Sequence, residues 1–257
     1  MDLLFQYLPP FLLILFRLTS FFLLAPYFST YGVPAPFRIG LAAFLSILTV
    51  PVVGTGESLS FDGRYLFLVM KEIFVGLSLG FVGALFFYAL QTAGGFIDLQ
   101  MGFAFANIID PQTGLSNPIM GNLKYILGIL FLISTGGHHL LIQGILNSFF
   151  LVPLGELVPV QNGRIADEVL NLFIKTFIIA VQIAAPLIVT LFLIDVALGF
   201  VSKTVPQFNL FVVGFPMKIL AAFGLFLIIL PGFFYALQLL FSDLFYSLGQ
   251  FTRQMVR

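Results

Sequence analysis

The sequence predicts an all-α membrane protein built from broken helices and helical hairpins, and three observations carry that expectation. Of 257 residues, 60% are hydrophobic and 9% charged, with a mean hydropathy of +1.11, which leaves too little polar surface to cover a soluble globule. Apolar runs recur that reach about 20 residues, the length needed to cross a hydrocarbon core of about 30 Å. Those runs are interrupted by prolines, glycines and charges such as Arg17, Asp98 and Asp195, which a bilayer tolerates only where they are paired or face protein.

Composition also excludes function classes. Eleven basic and eleven acidic side chains cancel, which argues against a nucleic-acid partner because that would require a basic face. Cysteine is absent, so disulfides, thiol nucleophiles and thiolate metal sites are not expected. No Walker loop, HExxH helix or GxSxG elbow occurs, and nothing marks Asp98 and Asp110 as a catalytic pair. The chain is therefore expected to be no enzyme and to need no cofactor. It also lacks the obvious internal repeat of many secondary transporters.

Residues 3–25 form the first expected span. Pro9 and Pro10 should kink or open it, and Arg17 should find an interior partner. The preceding Asp2 and the missing basic n-region suggest that this run stays as a membrane segment rather than acting as a signal peptide. Residues 26–38 form a turn-rich connector whose Arg38 either caps a neighbouring helix or marks the cytoplasmic side. Residues 39–53 look short for a span. Residues 65–90 form the next helix, where Lys71 and Glu72, being adjacent, should seek different partners. Gly76, Gly80 and Gly83 there share roughly one face and should admit a close helix contact.

Residues 91–122 hold five glycines and two prolines and are expected to be irregular, either buried in protein or folded on the membrane surface. After an apolar run at 123–134, Gly136 and Gly137 break the chain before His138 and His139. Adjacent histidines diverge on a helix and no acid completes a site, so packing and hydrogen bonding are expected of them rather than metal binding, with proton sensing a further option. A mixed-charge loop at 153–168 precedes a long apolar element with Lys175 near its start. Asp195, Lys203, Pro206, Gln207 and Asn209 then read as one arm and the tip of a helical hairpin. Its second apolar run is expected to close at Gly214, Phe215, Pro216 and Lys218, and residues 219–241 to be broken at Pro231 and Gly232.

Four stretches carry a resemblance: KEIFVGLSLGF (71–81), IDLQMG (97–102) with Asp110 and Pro111 after it, GHHLLIQGILNSF (137–149), and LFLIDVALGFVSKTVPQFNLFVVGFPMK (191–218). Together they are similar to the FliR family of export-gate proteins of the bacterial flagellar type III secretion apparatus, along nearly the whole chain. The resemblance implies a helical export-gate ring of several subunits, with FliP, FliQ and FlhB as partners and unfolded flagellar proteins as cargo, in the cytoplasmic (inner) membrane at the flagellar basal body. It implies a FliP-like part at residues 1–168, with a central plug loop at about 94–122, and a FliQ-like hairpin at 169–257 whose tip faces the cytoplasm. The plug would comprise Met101, Gly102, Phe103, Phe105 and Asp110. Subunit contacts are expected of Arg17, Asp98, Asp195, Lys203, Pro206, Gln207, Asn209, Phe215, Pro216 and Lys218, with Asp195 and Lys203 as possible partners of one another. The alternatives are a virulence-injectisome gate subunit, or a stand-alone transporter or channel using Arg17, Asp98 and Asp195.

Overall fold

The computed structural model describes residues 2–30, 32–53, 59, 61–103, 118–158, 163–205 and 210–255, and every regular element among them is an α-helix. In chain order these are α1 (Asp2–Leu24), α2 (Ala35–Val53), α3 (Gly63–Met101), α4 (Ile119–Ser134), α5 (Gly137–Leu151), α6 (Arg164–Thr204) and α7 (Leu210–Gln254). Five of them, α1, α2, α3, α6 and α7, are long and apolar enough to cross a membrane, and α4 with α5 would add a sixth if counted as one broken span. The fold class is thus the all-α membrane protein that composition predicts.

Several helices outrun their expected bounds. Helix α2 has 19 residues rather than the short run expected, because Pro36 lies inside its first turn, where a missing backbone donor costs nothing. Helix α3 continues through residues 91–101, so the irregular segment expected from residue 91 onward begins later. Helix α7 runs unbroken through Gly214, Pro216, Pro231 and Gly232, as membrane helices tolerate these residues more readily than soluble ones do.

The chain forms two compact units. The first comprises Met1–Phe86, Leu132–Ile174 and Phe241–Arg257, the second Phe87–Phe131 and Lys175–Leu240, so each draws on both halves of the sequence.

In the first unit, Leu13, Ile14, Arg17, Leu18, Phe21 and Phe22 are all buried, an i, i+3, i+4 pattern that turns one face of α1 inward. Helix α3 answers with Leu68, Glu72, Val75, Leu79 and Val82. The glycine face predicted on α3 lies against α1: a Cβ at Gly76 would stand 2.2 Å from the Arg17 carbonyl oxygen, and one at Gly80 2.8 Å from that of Phe21. Only glycine permits backbones that close. In the second unit, Leu90, Ala93, Ile97 and Met101 of α3 are buried along with Met120 of α4, Ala184, Leu187 and Leu191 of α6, and Ala222 and Leu237 of α7.

Candidate functional site

The C-terminus of α3 is where the predicted plug residues begin. Gly102 has φ +90°, its N–H donates to the Leu99 carbonyl at 3.1 Å, and the Phe103 N–H donates to the Asp98 carbonyl at 3.0 Å. This pair of bonds around a left-handed glycine is a Schellman cap, which satisfies carbonyls that the helix end would otherwise orphan. A Cβ on Gly102 would also fall 2.0 Å from the Phe215 ring of α7. Conformation and contact therefore both demand glycine. Met101, one residue earlier, is fully buried.

Three polar side chains gather beside this cap within the second unit. Asp195 of α6 forms an ion pair with Lys218 of α7 and accepts a hydrogen bond from Gln100 Nε2 of α3 at 2.9 Å. One carboxylate thereby ties three helices together. Asp195 is about one-third exposed, at 34%, and Lys218 less so, at 16%; Lys218 also lies 6.0 Å from the Phe215 ring centre.

Asp98 is buried on the opposite side of α3's last turn. Its two carboxylate oxygens accept from the Met120 N–H at 3.2 and 3.1 Å, in the first turn of α4. That is the role of an N-cap residue supplied from another helix: a negative charge on orphan donors at the positive end of the helix dipole. The glycines nearby serve the same approach, since a Cβ on Gly94 would sit 2.1 Å from the Gly121 nitrogen. Glycine richness at 94–121 therefore reflects, in part, helix contact rather than broken backbone. Lys124, also buried, has an Nζ with no hydrogen-bond partner among the described residues. Its charge feels Asp98 and lies 5.9 and 5.7 Å from the Phe226 and Phe233 ring centres, within cation–π range.

The first unit holds a second polar cluster. Arg17 forms an ion pair with Glu72, with Nη2 donating to Glu72 Oε1 and to the Val152 carbonyl, each at 2.9 Å. Its Nη1 donates to Ser148 Oγ at 3.1 Å, and its guanidinium lies 4.2 Å from the Phe149 ring centre. Lys71 pairs with Glu72 from the other side and donates to the carbonyls of Pro153 and Leu154 at 2.8 and 3.2 Å. Arg64 reaches the Gly155 carbonyl at 2.8 Å. Two cations on one carboxylate leave an excess positive charge, and they direct it at the carbonyl end of α5, the negative pole of its dipole.

The interior partner expected for Arg17 is Glu72, so both lie within the chain, as does Asp98. Asp195 is paired with Lys218 rather than with Lys203, which is exposed in the last turn of α6. The reason is geometric: Lys203 is eight residues from Asp195 on the same helix, about 12 Å at 1.5 Å per residue, whereas Lys218 reaches across from α7. Phe215 is half-buried and Pro216 exposed. Phe105, Asp110, Pro206, Gln207 and Asn209 lie outside the described residues. Gln100 and Lys124 were not singled out from sequence. Lys124 carries the signal that picked out Arg17, a cation inside an apolar run, while Gln100 carries none, being one amide among many polar residues.

Comparison with known proteins supplies the remaining observations. The family described as "Bacterial export proteins, family 1" matches residues 8–244. The chain is 41% identical over 235 residues, 91% of each chain, to the "Flagellar biosynthetic protein FliR" of Bacillus subtilis. It is 29% identical over 241 residues to the protein of that name from Escherichia coli, covering 94% of this chain and 92% of the other. Similarity also extends to the "Yop proteins translocation protein T" of Yersinia pestis, 30% identical over 182 residues and 70% of each chain.

Proposed function

The chain belongs to the bacterial export proteins, family 1, and from that premise we propose that it is a core subunit of a flagellar type III protein export gate. In this reading it assembles with FliP- and FliQ-type subunits, contacts an FlhB-type protein, and helps form the conduit through which unfolded flagellar proteins cross the cytoplasmic membrane. Residues 1–168 act as the FliP-like part and 169–257 as the FliQ-like hairpin.

The observation that carries the proposal is the length and bareness of the long helices. Helices α6 and α7 have 41 and 45 residues, about 62 and 68 Å at 1.5 Å per residue, twice a hydrocarbon core of about 30 Å. Both expose large apolar side chains, among them Phe200, Leu220, Leu227 and Ile228. A single bilayer cannot cover such helices end to end, and apolar surface left over calls for protein partners. A ring of neighbouring subunits covers it. The plug is the stretch 101–105, apolar and deformable through Met101, which blocks ions when idle and yields to a passing chain.

The injectisome reading rests on the Yersinia similarity, which covers 70% of this chain against 91% for the Bacillus protein; the flagellar reading is favoured. Deleting the chain's gene should abolish secretion of hook and filament proteins while their synthesis continues, and restoring the gene should recover it. Undiminished secretion in the deletion strain would refute the proposal.

A further inference from the structure

A groove of about 400 Å³ opens in the first unit between α1, α2 and the first half of α3, lined by apolar side chains that include Phe16, Leu23, Ile39 and Ile73. Its polar lining is almost entirely spent. Thr19 Oγ1 donates to the Leu15 carbonyl at 2.7 Å, and Ser20 Oγ to that of Arg17 at 3.0 Å. The exception is Arg38, whose Nε is buried without a hydrogen-bond partner among the described residues. A buried donor on a charged group left unmade is costly, so a ligand acceptor is called for.

The position of Arg38 defines that ligand. It lies in the first turn of α2, next to the connector that follows the end of α1, which puts it at the end of two apolar helices, where a bilayer interface falls. From Leu23 to Phe16 the groove follows α1 inward for about 10 Å at 1.5 Å per residue. Helix α2 has no acidic residue in its first turn, so its positive dipole end faces the same region uncompensated. An anion at the rim with a hydrocarbon tail running inward matches both features. We propose that this groove binds an anionic phospholipid, its phosphate on Arg38 and one acyl chain along Leu23, Ile73 and Phe16. The inference rests on the membrane character of the chain and is independent of the export reading.

The test uses the chain, with whatever subunits copurify, reconstituted in nanodiscs of phosphatidylglycerol or of phosphatidylcholine, then released and weighed by native mass spectrometry. Retained phosphatidylglycerol should exceed phosphatidylcholine at least about fivefold, and Arg38→Gln should erase that preference while Arg38→Lys keeps part of it. Ile73→Trp, which fills the groove and leaves Arg38 in place, should lower retention of both lipids. A photo-crosslinker at Leu23 in native membranes should yield a phospholipid adduct. Equal retention of the two lipids, indifference to both Arg38→Gln and Ile73→Trp, or an adduct to protein alone would overturn the proposal, the last by giving the groove to a partner subunit.

Discussion

At Arg17 the cost of replacement comes from what stays behind. Arg17→Met would leave Glu72 buried with Lys71 as its remaining ionic partner and would strip the Ser148 and Val152 acceptors of a donor. Removing one member of a buried pair costs about 3–5 kcal/mol. We expect Arg17→Met and Glu72→Met each to lower the midpoint of thermal unfolding in detergent, and the double variant to lose clearly less than the sum of the two, the coupling expected of residues in one ion-pair network. Additive losses would contradict the pairing. Gly102 makes a separate demand. Gly102→Ala should destabilise by about 1–2 kcal/mol through the left-handed backbone alone, with a further loss from the clash with Phe215. Phe215→Ala in the same chain should relieve the second part and leave the first, measured as partial recovery of swimming in soft agar.

Among the elements, Asp195 fastens α6 to α3 and α7 through Gln100 and Lys218. Reversing the pair, Asp195→Lys with Lys218→Asp, should restore much of the assembly and motility that either single reversal removes, whereas Lys203→Asp should not rescue Asp195→Lys. Equal rescue by the two would show that the charge acts at a distance. The helices themselves were largely legible, because an apolar run of membrane length has few alternatives. Their ends were not. Pro216 and Pro231 read as breaks and lie inside α7, since local propensity is overridden where no water competes for the backbone. Glycines 94, 95 and 102 read alike, yet one meets Gly121 across a helix contact and another ends α3 with positive φ; composition cannot separate close approach from a turn. The burden on Arg17 was legible from its depth, but Glu72 as its partner is 55 positions away in sequence, a distance no local pattern spans.

For the whole molecule, the long bare helices α6 and α7 and the capped end of α3, where the proposed plug starts, meet in one expectation: the chain is stable and closed only as part of a larger ring. Replacing residues 101–105 with glycine in cells should raise passive ion leakage across the membrane without abolishing assembly, and unchanged conductance would remove the plug. The most direct test is to extract the tagged chain from membranes in mild detergent, identify by mass spectrometry what remains bound, and weigh the particle. A gate subunit should come away with FliP- and FliQ-type membrane proteins at a fixed ratio and a particle mass to match. A lone monomer or homo-oligomer that by itself moves ions or solutes in vesicles would contradict the gate reading and make the chain a transporter.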